Sequence, residues 1–248
     1  MKKKLVAFML VISMLAVAVV GGTLAYFTDE DEATNVMTFG KVDIEQVEQE
    51  RDAQGNIVAF TQNKPLLPMG GSPAWADEEV TVNGDNFKVF ASENVIDKFV
   101  TVNNNGNTAA YVRTIVALEA GKSAEEADLM WDKYIAVTDN TLQNEDSVVC
   151  EDNSMYVEID GTYYIILVYT YVDALEAGAK SEASLTGVAL YKETTQEAIA
   201  NLGDTYEILV KSQAVQASDM GDDAGAALDA AFGEVTAANV VDWFTPEA

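Results

Sequence analysis

The chain has 248 residues, with 41 Asp or Glu, 14 Lys or Arg and no His, for a formal charge of −27. That balance points away from nucleic acid and from anionic membrane surfaces, both of which are bound by clusters of lysine and arginine. The absence of histidine removes the commonest general base, the Ser-His and Cys-His nucleophile pairs and the HExxH zinc site.

A hydrophobic content of 49% is enough to bury a core, in one large domain or two small ones. Cys150 is the single cysteine. No intramolecular disulfide can form, and Cys150 reads as a small buried hydrophobe rather than a reactive thiol. A two-carboxylate hydrolase is the enzyme chemistry that survives these exclusions. With 41 acidic residues, however, a close pair of acids carries no information, so the reading is non-enzymatic with no catalytic residue. No catalytic zinc or other metal site and no cofactor are expected, beyond weak divalent-cation attraction to the acidic surface.

Met1-Lys2-Lys3-Lys4 precedes Leu5 to Val20, an apolar run interrupted only by Ser13, and Gly21-Gly22 and Thr23-Leu24-Ala25 follow. A basic start, an apolar stretch and a small-x-small exit define an export signal, residues 1–25, cut between Ala25 and Tyr26. The alternative is an uncleaved anchor over Leu5 to Phe27, which is just long enough to span a bilayer. Contact with membrane is otherwise expected of the precursor alone.

Residues 26–40 form an N-terminal segment, followed by a β-rich region over residues 41–217. Thr38 to Val47 reads as a strand, and a turn at Asp52 to Asn56 leads to a second strand over Ile57 to Phe60. Residues 63–85 contain Pro65, Pro68, Pro73 and Gly70-Gly71 and read as a loop. Val95 to Val102 and Ala110 to Leu118 flank the turn residues Asn103 to Asn107. The second of these strands is apolar on both faces, as a strand inside a sandwich should be. Its one charge, Arg113, reads as a paired or snorkelling arginine at a sheet end, with a ligand or partner contact as the alternative.

Lys122 to Trp131 reads as a helix capped by Ser123, with Glu126 in the capping-box position. Ser147 to Cys150, Met155 to Ile159 and Tyr163 to Val172 are strands, the last two joined at Asp160-Gly161. The run from Tyr163 to Val172 is the central core strand, an aromatic sugar-binding face being the alternative. Ser184 to Tyr191 and Thr205 to Ala217 complete the strands. Ala224 to Phe232 and Thr236 to Phe244, within a helical tail over residues 218–248, pack on the sandwich. The acidic runs Asp29 to Glu32 and Asp219 to Asp223 lack EF-hand spacing and read as solvated surface. The fold class is all-β: an antiparallel, jelly-roll-like β-sandwich with short helices in loops and at the C-terminus.

Two blocks carry a resemblance. Gly21 to Asp29, with Asn35 and Phe39 to Ile44, and then Phe99 to Arg113, together resemble the TasA/camelysin family of Gram-positive bacteria. The resemblance implies a signal peptide cut by a SipW-type signal peptidase and a jelly-roll sandwich that polymerises into extracellular biofilm-matrix fibres. It also implies that the N-terminal segment of one mature subunit completes the sheet of its neighbour, with Tyr26 and Phe27 as donor-strand anchors. The metalloprotease activity described for camelysin is not carried over, because this sequence has no histidine.

The expected role is therefore a secreted structural protein of the extracellular matrix or cell surface, whose partner is itself. A monomeric surface binding module of the same fold and a secreted hydrolase are the alternatives. N-terminal sequencing of the exported protein should find Tyr26 first. A start at Met1 or beyond about residue 35 would contradict the assignment, since recognition is local to the end of the apolar stretch.

Overall fold

The strand Ala110–Gly121 has no solvent-facing position, all 12 of its residues being buried. Successive side chains of a pleated strand point to opposite faces, so such a strand needs a covering layer on each side. The computed structural model shows both layers; it describes residues 40–70, 78–82, 85–89, 94–139, 148–202 and 206–245.

The strands are β1 (Ile44–Arg51), β2 (Ile57–Ala59), β3 (Glu78–Val82), β4 (Asp85–Val89), β5 (Ile96–Asp97), β6 (Phe99–Asn104), β7 (Ala110–Gly121), β8 (Ile135–Asp139), β9 (Val148–Ile159), β10 (Thr162–Tyr171), β11 (Leu185–Leu190) and β12 (Ile208–Gln216). The helices are α1 (Ala124–Lys133), α2 (Gln196–Leu202), α3 (Ala224–Phe232) and α4 (Ala237–Phe244). One sheet has the order β12-β7-β10-β9.

The facing layer consists of β2-β1-β6 and β5-β11-β8, which are continuous in practice. Only Lys98 separates β5 from β6, and residues 178–188 run antiparallel beside both. Gly187 pairs with Asp97, Lys98 N donates to Thr186 O (3.1 Å), and Ser184 N and Ser181 N donate to Val100 O and Val102 O (2.8 Å each). The protein is an all-β, sandwich-like fold with antiparallel sheets and a few short helices.

Between the layers, Val100, Val102, Ile135, Leu185 and Val188 meet Val112, Val116, Leu118, Ile165, Leu167 and Tyr169. On the far side of the four-stranded sheet, Ile115, Ala117, Val157, Ile166 and Val168 pack against Val240, Trp243 and Phe244 of α4, while Tyr111 packs against Ala224, Ala227 and Leu228 of α3. Each fully buried aliphatic side chain contributes about 1.5–3 kcal/mol, so the helical cover is part of the core.

The expected core strand is core from Tyr164 to Tyr171, whereas Val172 lies beyond β10 and is exposed; Tyr164, Tyr169 and Tyr171 are buried, which argues against an aromatic sugar-binding face. The Tyr171 hydroxyl donates to Glu182 O at 2.8 Å, and burial pushes its pKa up to about 12. Asp160 and Gly161 have φ of 51° and 80°, the paired left-handed residues that a two-residue hairpin requires. Ser123 Oγ accepts from Glu126 N at 3.2 Å. Glu126 reaches back one residue further than a capping box requires, accepting from Lys122 N at 2.6 Å.

Other expectations need correcting. Within the described residues β1 starts at Ile44, not Thr38, and continues to Arg51, because Gln49, Glu50 and Arg51 pair with β2. The span 63–85 is not all loop: Glu78–Val82 forms β3, paired with β4. Residues 148–159 form one strand with a register irregularity, not two strands. β8 and α2 were not anticipated.

Arg113 is paired, but in the body of β7 rather than at a sheet end. Its Nε donates to Gln213 Oε1 (2.7 Å), one terminal nitrogen to Asp229 Oδ1 (2.6 Å) and the other to Gly233 O (3.0 Å). The guanidinium lies 5.0 Å from the centroid of the Trp243 ring. One side chain therefore ties β12, α3, the α3–α4 connection and α4 to the central sheet. Arg113 is buried while Asp229 is partly exposed, so removing the carboxylate leaves a buried guanidinium short of one partner, at a cost that solvent near Asp229 moderates. Asp229→Ala should lower unfolding stability by about 1–2 kcal/mol, read from urea midpoints, whereas an unchanged midpoint would show that the helices are held without this ion pair.

Candidate sheet-edge interface

β12 ends its sheet, and among the described residues no strand pairs with its outer edge. Glu119 N donates to Glu207 O at 3.0 Å, and the register pairs Leu209 with Ala117 and Lys211 with Ile115. In an antiparallel ladder this phase turns the backbone of Leu209, Lys211 and Gln213 toward β7, and that of Ile208, Val210, Ser212 and Ala214 outward. Gln46 of β1 reaches this edge, with Nε2 donating to Val210 O (3.5 Å) and Oε1 accepting from Ser212 Oγ (2.9 Å). An edge strand presents such groups as a template for another chain.

Near Ile208 the edge opens into a cleft of about 970 Å³, bounded by Glu48, Phe60, residues 62–66, Ile96, Lys98, Val188, Leu190, Ile199 and residues 206–209. Both of its lysines are neutralised. Lys98 pairs with Glu48 and stands 4.1 Å above the Phe60 ring, and Lys64 pairs with Glu50 at 2.6 Å. The cleft therefore has a mixed lining of apolar and polar side chains, balanced cations and a strand backbone along one side. Such a surface suits an extended peptide better than a small anion.

At the end of β7 nearest the cleft, Glu119 is buried. Its Oε2 accepts from Glu207 N at 2.8 Å, and Glu207 Oε2 accepts from the Tyr164 hydroxyl at 2.6 Å. Burial raises the Glu119 pKa above the usual carboxylate range, partly offset by the Glu207 N–H and Lys122 and reinforced by the Glu207 charge. Burial also raises Tyr164 and Tyr206, so both stay neutral. This arrangement disfavours the charged Glu119 carboxylate and offers no nucleophile–base pair. Among the described residues no group of three or more acids or cysteines could hold a metal.

At the opposite end of β1, the residues that carried the family resemblance meet. Ile44 pairs with Asn104, and Asn105 N donates to Asp43 O at 2.7 Å. Sequence-predicted site residues Ala25, Tyr26 and Phe27 lie outside the described residues, as does the acidic run Asp29 to Glu32. Cys150 lies in β9, but its side chain is not among those described. Asp223, in the other acidic run, caps α3 by accepting from Ala226 N at 3.0 Å. No helix of the described residues is long and apolar enough to cross a membrane.

The cleft residues were missed in sequence because they come from segments around residues 60, 97, 189 and 207 that no local pattern links. Comparison of the chain with protein-family models, with curated proteins and with solved structures finds no match.

The Glu119 environment gives a pH prediction. A carboxyl whose folded pKa is raised binds its proton more tightly in the folded state, so stability falls as pH climbs from the ordinary glutamate range through the folded value. Glu119→Gln keeps an oxygen for the Glu207 N–H and removes that loss. The variant should resist urea better than the parent at pH 8 and equally at pH 4, and an equal difference at both pH values would contradict this.

Proposed function

We propose that this chain is an exported structural subunit that polymerises by strand addition, the Tyr26 to Asn35 segment of one copy lying along β12 of the next. The observation that carries this reading is the outward-facing backbone of Ile208, Val210, Ser212 and Ala214, on an edge that runs into a cleft whose lysines are already paired. Main-chain hydrogen bonds along such an edge supply affinity, and pockets for alternate side chains supply register. The aromatic pair Tyr26 and Phe27 suits the apolar part of the lining around Leu66, Val188 and Leu190, and Tyr26 to Asn35 contains no proline to interrupt a ladder.

Asp29 to Glu32 and a chain charge of −27 repel like copies, so salt, low pH or divalent cations favour assembly. The resemblance to the TasA/camelysin family supports the same reading and adds export through a SipW-type peptidase to the extracellular matrix or cell surface. A second reading, a monomeric surface binding module, is favoured by the cleft volume, which lies within the range of small-molecule sites.

Electron microscopy of the mature protein beside a form lacking residues 26–35, at matched salt, distinguishes these readings. Fibres from the mature form alone are expected. Fibres of equal yield and morphology from both would contradict strand donation. Dispersed monomers from both, at every salt and pH, would favour the binding module.

A further inference from the structure

The open edge of β12 is not bare, because one side chain from the other layer lies on it. Gln46 belongs to β1, which β2 joins only at Gln49 to Arg51. Its amide nitrogen donates to Glu48 Oε1 at 3.0 Å and, more weakly, to Val210 O at 3.5 Å. Its amide oxygen accepts from Ser212 Oγ at 2.9 Å. Carboxylate and carbonyl oxygens only accept, so this amide cannot be turned round. Ser212 uses its one proton on Gln46. The fully buried Thr114 is therefore the donor in the 3.1 Å contact between the Thr114 and Ser212 hydroxyls.

The other end of the line is fixed as well. Glu48 holds Gln46 with one oxygen and Lys98 with the other, and Lys98 is a buried wall of the cleft. Thr114, Ser212, Gln46, Glu48 and Lys98 thus form one hydrogen-bonded line from the interior of β7, across the edge of β12, to the cleft.

Val210 decides what this line does. It lies in the outward phase of β12, so an added strand bonds to both its N–H and its C=O. That carbonyl is the one Gln46 reaches. An added strand stands about 4.8 Å from its neighbour, beside Val210 and Ser212. The Gln46 amide is already there, 3.5 Å from the Val210 oxygen and 2.9 Å from the Ser212 hydroxyl. It cannot move aside without giving up its bonds to Ser212 and Glu48.

Resting on the strand-addition reading above, we propose that Gln46 is a latch on the acceptor edge. It occupies the Val210 carbonyl in the dispersed protein and is released before the strand of a second copy pairs there. An exposed edge invites premature pairing, and here the protection comes from the facing layer. Gln46 and Ser212 are thus residues that set how readily the edge accepts a strand.

Acceptance is read as binding of a synthetic peptide of residues 26–40 to the protein lacking residues 26–35, unsubstituted, with Gln46→Ala and with Ser212→Ala. The two substitutions release the latch from opposite layers and leave the outward backbone of β12 in place. Each should tighten peptide binding by about two- to tenfold, the range that one net hydrogen bond spans. The mature Gln46→Ala protein should also assemble after a shorter lag than the parent. A residue that only held the layers together would act the other way, its loss lowering the urea midpoint and the peptide affinity together.

Unchanged or weaker binding in either folded variant would overturn the latch. Should Gln46→Ala fail to fold, Ser212→Ala decides alone, since it removes one oxygen from a half-buried site. If the unsubstituted protein neither binds the peptide nor assembles, the strand-addition reading itself fails, and the latch with it.

Discussion

A strand that is buried on both faces cannot lie at the surface of a two-layer protein, and β7 is such a strand. Its even-numbered residues Val112, Val116 and Leu118 need the opposing sheet, whereas Ile115 and Ala117 need a separate cover. The C-terminal helices are that cover, and Arg113 is where the requirement becomes specific. A planar guanidinium with donors in a fixed fork can satisfy Gln213, Asp229 and Gly233 O at once while stacking on Trp243. Apolar packing would hold α3 and α4 in several rotations, and the fork selects one.

With both faces of the central sheet occupied, what remains unsatisfied lies along its side. β10 and β7 are interior strands, and among the described residues β12 and β9 each keep one ladder of backbone groups facing outward, β12 being the one that borders the cleft. Proteins usually protect such edges with charge, proline or a bulge. Here the nearest devices are the amide of Gln46 and the neutralised lysines of the cleft. In a chain this acidic, like-charge repulsion opposes contact between the open edges of two copies, and salt or protons weaken that repulsion.

The sequence is most legible where burial is two-sided or the turn chemistry is strict. The double apolar pattern of Ala110 to Leu118, the core strand within Tyr163 to Val172, Asp160-Gly161 and the Ser123 cap all read correctly, because each is fixed by local rules. Glu78 to Val82 alternates as a strand should, but the density of proline and glycine before it masked the signal. β8 and α2 are short, and tertiary contact rather than propensity sustains them. The cleft was illegible in principle, since it exists only once several distant segments converge. The resemblance blocks at 39–44 and 99–113 read as separate motifs in sequence. In the fold they are partners, and Gly106 is small because Lys41 crosses it.

The claim on which the account turns is that the outer edge of β12 is where copies join. Residue-resolved hydrogen exchange on dispersed and assembled protein tests it directly. The amides of Ile208, Val210, Ser212 and Ala214 should exchange readily in the dispersed state and become protected on assembly, while those of Leu209, Lys211 and Gln213, already bonded to β7, change little. Equal exchange of the outward amides in the two states would contradict it.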